Sequence, residues 1–468
     1  LSLRLPETGL AVLIAAALAL AGDLVLRRRS ASLSSWFESF WVGGGIAASA
    51  LFPLSLVLPG RALGVLEAAV GAAAAAALVL RFRTGRPPAS PEPMPAEGRP
   101  LLGDPLSAAL LAITAAACVG FAALNWRYTY LWDGFQVWAA RAQVLYAQGD
   151  LVPHLLPNDY FNRLLLYPPL VPLSEAFLAR LSGGFDFDAL KPVFLVFYGA
   201  MVVATWRAAR GVAPRPLAFA ATALLCLSPM VSTQSAAGGY ADLPQAACVA
   251  AVTAAFLAGP SASGWRSPLP WLVASLVTVK QEGTVLAVIC CGVAALAVAA
   301  GARTGGRATT RSAASFLAPI ALFLILRRAY VRWVDVSDLT YSPVNSESLP
   351  RAMSRLGEVL RLCAKQLLDF RSWGLFWIAF LLAAVYLLAA GASSRLRIVA
   401  GAVLLAVISD MAIFLFTNWP VPLHIEQAFP RLLQQVAPAA AVVIAGAFAG
   451  ALARNARRQE DQPEPSTP

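Results

Sequence analysis

Four short polar stretches interrupt an otherwise apolar chain, and the residue types that do chemistry gather in them. The first opens with Tyr130-Leu131-Trp132-Asp133-Gly134, passes Asn158-Asp159-Tyr160 and Arg163, and closes with Tyr167-Pro168-Pro169-Leu170. The second reads Gly238-Gly239-Tyr240-Ala241-Asp242, and the third Lys280-Gln281-Glu282-Gly283. The fourth reads His424-Ile425-Glu426-Gln427-Ala428-Phe429-Pro430-Arg431. Carboxylates in such places can take up protons or hold a cation, and lysine and arginine can hold an anion. Each residue also has a purely structural use. Asp133 and Asp242 precede helical runs, where an aspartate caps the first turn. Lys280 and Arg431 suit interface anchors whose stems lie along apolar surface. Glu282 opens a helix, where the dipole favours an acid. His154 and His424 are far apart and make no zinc motif, and no cysteine spacing resembles a metal site or a disulfide framework.

The elements that must position these stretches are membrane-crossing helices. Of 468 residues, 59% are apolar and only 13% are charged, whereas a soluble domain has about a quarter of its residues charged. A bilayer core takes ~20 apolar helical residues to cross, and runs of that kind recur along nearly the whole chain. They lie near 9–26, 40–59, 62–80, 107–125, 189–206, 214–232, 243–259, 268–279, 283–300, 313–330, 373–390, 398–416 and 431–452. The run at 268–279 is short and suits a broken or re-entrant helix. The expected fold is therefore an all-α polytopic bundle of about 13 transmembrane helices. Seven prolines between Pro87 and Pro105 exclude a helix there. The chain thus divides into a three-span segment at 1–86, a proline-rich linker at 87–104, a main membrane region at 105–452 and a disordered tail at 453–468.

Orientation follows from arginine. Clusters at 27–29, 81–86, 207–210, 303–311, 395–397 and 454–458 end the first, third, fifth, ninth, eleventh and last of these spans. The net charge of +11 is thereby spent at span ends, which points to membrane orientation and away from nucleic acid. By the positive-inside rule these connections face the cytoplasm, with the N-terminus outside and the first span retained. Two long connections, 126–188 and 331–372, then lie outside. Each carries an amphipathic stripe, Leu170, Leu173, Phe177 and Leu181 in one and Met353, Leu356, Leu360, Cys363 and Leu367 in the other, as surface helices do. All four polar stretches fall on that same outer side. Ionisable residues at span ends are costly, so their convergence marks a site.

This arrangement resembles the GT-C class of membrane glycosyltransferases, which includes protein O-mannosyltransferases, lipid A aminoarabinose transferases and sugar transferases of lipopolysaccharide cores. The resemblance covers roughly 105–452. Asp133 matches the acid of the large first outer loop, Tyr167-Pro168-Pro169-Leu170 the proline element, Asp242 the second-loop acid, and Lys280 the lysine at the following span break. Three spans and a linker precede the matching region, whereas members of the class commonly begin with the span before the acidic loop.

The resemblance implies transfer of a sugar from a polyprenyl-phosphate donor to a glycan, lipid or protein acceptor, at the periplasmic or outer face of the cytoplasmic membrane. Such transfer passes through an oxocarbenium-like transition state. Asp133 is then the candidate base. Lys280, Arg431 and Arg163 are candidates for holding the leaving phosphate. Asp242 and Glu282 are candidates for the acceptor or, with Asp133, for a divalent metal ion. Trp132, Tyr167, Tyr240 and His424 belong to the loops that would line the substrate. The rival readings are a transporter or flippase, a lipid-linked oligosaccharide polymerase or ligase, and a scaffold. Transporters carry repeated halves and charges near the midplane. No repeat is visible here, and the charges gather at one interface.

Overall fold

The computed structural model describes residues 4–26, 33–83, 104–151, 166–259, 267–303, 310–334, 340–389 and 393–460. Among them regular structure is helical, with one isolated bridge between Tyr341 and Thr417. The first helices are α1 (Leu5–Leu26), α2 (Leu33–Val57), α3 (Ala62–Arg83) and α4 (Pro105–Arg127). Asp104 starts α4 by accepting from the Leu106 amide at 3.2 Å and from the Ser107 hydroxyl at 2.6 Å, with Pro105 in the first turn. Next come α5 (Ala140–Gln148), α6 (Leu170–Leu181), α7 (Val193–Arg210), α8 (Arg215–Leu227), α9 (Asp242–Ala258), α10 (Pro268–Val279), α11 (Gly283–Arg303) and α12 (Thr310–Val334). The chain ends with α13 (Ser348–Leu367), α14 (Phe376–Ala389), α15 (Ser394–Ile413) and α16 (Val421–Glu460).

Eight of the described helices are long and apolar enough to cross a membrane, or nine if the segment bent by 61° between Leu227 and Met230 counts as one broken span. Ser228 and Pro229 occupy that break, and proline cannot continue the hydrogen-bond ladder. The expected number of spans is thus met in part. Helices 242–258, 268–279, 283–295 and 376–389 are apolar but shorter. The protein is a multi-pass membrane protein of the all-α class.

The first three helices pack into the bundle. Gly22 of α1 and Gly43 of α2 allow the two backbones to touch, since a Cβ at either would run into a carbonyl of the other helix. Ser275 of α10 donates to the Trp41 carbonyl of α2 at 2.9 Å, across the small residue Gly45. Buried charges on these helices are paired: Asp23 takes Ser39 at 2.5 Å and Arg81, and Glu38 takes Arg207 of α7. At the centre, α9 is buried from Asp242 to Ala255, against α7, α10 and α16.

Two expectations change. The stripe of Leu170, Leu173 and Phe177 does not lie on a surface, because α6 is buried from Leu170 to Ala179 against α5, α1 and α2. Its polar residues Ser174 and Glu175 are buried as well, so the helix is an internal prop. The α13 helix keeps exposed Leu349, Met353 and Leu360 beside its charged face. At the end of the chain, α16 continues to Glu460, so 453–460 is helix, and 461–468 lies outside the described residues. The linker at 87–103 lies outside them too.

Candidate functional site

The loops bearing Asp133 and Asp242 are interlocked by glycine and clamped by lysine. A Cβ on Gly134 would collide with the Gly238 carbonyl, and one on Gly239 would strike the Tyr130 ring. Gly239 also has φ of 65°, a left-handed conformation that only glycine adopts readily. Beneath this contact the fully buried Lys191 donates to the carbonyls of Tyr128 at 2.6 Å, Ala237 at 3.2 Å and Thr129 at 3.4 Å. One ammonium thereby ties the first loop to the second. The Tyr130 hydroxyl reaches down to donate to Glu175 of α6 at 2.6 Å. Burial pushes the Glu175 carboxyl up to about 8, partly offset by that hydrogen bond. After Asp133 the chain takes a π-helical turn, Gly134–Ala139, a form frequent at functional sites.

On this platform five charged side chains form a continuous chain. Arg431 Nη1 lies 2.5 Å from Asp133 Oδ2, and its Nε donates to Asp242 Oδ2 at 3.0 Å. Lys280 donates from Nζ to Asp242 Oδ1 at 2.7 Å and lies 3.1 Å from Glu282 Oε1. Gln435 adds a donor to Asp242 Oδ1 at 2.9 Å. The Arg431 guanidinium sits 4.0 Å from the centroid of the Tyr240 ring, a cation–π distance. Burial works against the Lys280 charge, but Asp242 and Glu282 outweigh it and hold the ammonium pKa above its usual value. Burial pushes the Tyr240 phenol up, with Arg431 opposing and the nearby carboxylates adding.

A cavity of about 1330 Å³ opens over this network. Trp132, Asp133, Tyr167, Tyr240, His424 and Arg431 all line it, so six of the residues nominated from sequence meet at one place. His424 is held by aromatic faces and by Thr417, whose hydroxyl lies 2.6 Å from Nδ1. Asp242, Lys280 and Glu282 stand behind the cavity rather than on it. Arg163 lies outside the described residues. Neither aspartate is an N-cap. Asp133 makes no capping hydrogen bond, and Asp242 spends both oxygens on side chains.

The metal expectation does not fit these donors. Arg431 occupies the position between Asp133 and Asp242 and already neutralises both, and no described group of His, Cys, Asp or Glu side chains has metal-holding geometry.

Sequence reasoning missed several contributors. Lys365, Gln366, Asp369 and Arg371, around the end of α13, form one wall, and Trp419 another part. Gln435 and Lys191 are the less visible supports. Lys191 and Gln435 did carry a signal, a polar side chain at the edge of or inside an apolar run, where such residues are costly. No family model, curated protein or solved structure matches the chain.

Proposed function

We propose that this protein is a membrane glycosyltransferase that uses a polyprenyl-phosphate sugar and works at the outer face of the cytoplasmic membrane. The observation that carries this reading is the convergence of all four polar stretches on one charged, aromatic-lined cavity. In this reading the four shorter apolar helices cross the membrane with the others, giving about 13 spans, and the arginine-rich ends face the cytoplasm.

The chemistry assigns parts to the residues. An acceptor hydroxyl on a glycan, lipid or protein attacks the anomeric carbon as the bond to phosphate breaks. The phosphate leaves with both bonding electrons and needs cations. Arg431 faces the cavity and can offer a pair of hydrogen bonds, while Lys280 holds Asp242 and so aims Arg431 from behind. Lys365 and Arg371 line the same cavity and add positive charge there. A cavity carboxylate takes the acceptor's proton, and Asp133 is the one that sequence nominates. Trp132 and Tyr167 offer faces for sugar rings.

Purified protein in liposomes without any gradient tests this reading. Given polyprenyl-phosphate hexoses and pentoses in turn with an envelope extract as acceptor, it should release free polyprenyl phosphate and form a glycosidic bond, and a nucleotide sugar should not substitute. Movement of an intact solute across sealed vesicles with no bond formed would replace the transferase with a transporter.

A further inference from the structure

Three carboxylates line the cavity: Asp133, Asp369 and Glu426. Their surroundings differ in a way that decides which of them is free to take a proton. Asp133 gives Oδ2 to Arg431 at 2.5 Å. Asp369 caps the single turn Phe370–Trp373, accepting from the Arg371 amide at 3.2 Å and the Ser372 hydroxyl at 2.6 Å. Glu426 has no hydrogen-bond or ion-pair partner among the described residues, and its side chain is exposed to the cavity.

Its backbone, by contrast, is fixed. Glu426 sits in the second turn of α16, between the buried Ile425 and Phe429, and five residues ahead of Arg431 on the same helix. A free carboxylate on a rigid element is what proton abstraction requires: the oxygen must reach the hydroxyl and have no prior engagement.

We infer that Glu426, and not Asp133, is the proton acceptor of the transfer reaction, and that Asp133 is a positioning residue for Arg431. This rests on the glycosyl-transfer reading above. In the step, the acceptor oxygen forms its bond to the anomeric carbon and its proton passes to a Glu426 carboxylate oxygen. The bond from the anomeric carbon to the phosphate oxygen breaks, and that electron pair leaves with the phosphate. Asp133 is poorly suited to the proton, because protonating it would cost the ion pair that, with Asp242, fixes the guanidinium over Tyr240. Glu426 takes up a proton without breaking a hydrogen bond or ion pair among the described residues.

The experiment uses the full chain in liposomes and follows release of free polyprenyl phosphate from polyprenyl-phosphate hexoses and pentoses, each supplied with envelope extract. Glu426→Gln should lower turnover at saturating donor by about 100-fold or more, the range for loss of a general base, while donor KM stays near the wild-type value. Glu426→Ala should regain turnover when sodium formate supplies a small carboxylate, and Asp133→Ala should not. A mere structural role would not give formate rescue. Glu426→Gln within about threefold of wild type, or rescue of Asp133→Ala in place of Glu426→Ala, overturns the inference and leaves the transferase reading standing. If wild-type protein releases no polyprenyl phosphate from any donor, the transferase reading itself fails, and this inference with it.

Discussion

Asp242 is the residue on which the charged network turns, since it is fully buried and answers Lys280, Arg431 and Gln435 together. Removing one partner of a buried ionic group strands the others, at a cost of roughly 3–5 kcal/mol. Asp242→Ala should therefore lower the thermal midpoint in detergent sharply, and Asp242→Asn, which keeps the hydrogen bonds to one oxygen, should lower it less. An unchanged midpoint for the alanine variant would mean the network is absent in solution. Arg431 has a different sensitivity. Its guanidinium spans two carboxylates by Nε and Nη1, a reach that an ammonium does not reproduce. Arg431→Lys should raise donor KM, and Arg431→Ala should raise it further, in the polyprenyl-phosphate release assay. Equal kinetics for Arg431→Lys and wild type would remove Arg431 from the phosphate site.

Between elements, the decisive contacts are backbone approaches that permit no side chain. Gly239 has both a positive φ and the Tyr130 ring against the place where a Cβ would stand. Gly239→Ala should destabilise the junction by about 1–3 kcal/mol, the usual range for overpacking plus strain. The local readout is accessibility of a cysteine placed at Thr129, which should rise as the two loops part. The α6 prop gives a pH signature. Glu175 keeps its proton in the folded state up to about 8, against 4.5 for an ordinary glutamate. Between those values the folded protein holds a proton that the unfolded chain has lost, so stability falls as pH rises. The contribution is complete below the lower value and gone once pH passes the upper one. Thermal midpoints from pH 5 to 9 should decline for wild type and decline less for Glu175→Gln. Identical slopes would show that Glu175 is not the group responsible.

Across the whole molecule, the arginine distribution sets the expected orientation. Cysteines placed in the 340–347 loop should react with an impermeant reagent in intact cells, and those at 84–86 only after permeabilisation. The reverse pattern would turn the cavity to the cytoplasm and sink the outer-face reading. The first three helices are part of the same body, with Trp41 held by Ser275 and Glu38 by Arg207. Deleting 1–86 should prevent the remainder from folding, seen as aggregation on size exclusion. A monodisperse remainder would restore those helices to the status of an appendage.

The sequence by itself determined the class and pointed to the stretches that meet at the candidate site. Apolar runs of bilayer length need no partner to be recognised, because lipid is their solvent and hydropathy is a local property. The four polar stretches were legible for the same reason: a charge costs free energy wherever the chain enters the membrane. What the sequence left open was each residue's use. Asp133 and Asp242 could each have capped a helix, and the structure shows instead that both carboxylates engage Arg431. The stripe on 170–181 read as a surface helix, yet α6 is buried from Leu170 to Ala179, because α5, α1 and α2 cover its polar residues too. Lys191, Gln435 and the wall around Lys365 and Arg371 were visible as residue types but not as participants. Their parts depend on contacts between segments far apart in the chain, as when Gln435 meets Asp242 or Lys191 clamps two loops. Such long-range pairings are set by how the helices pack, and no local pattern encodes them.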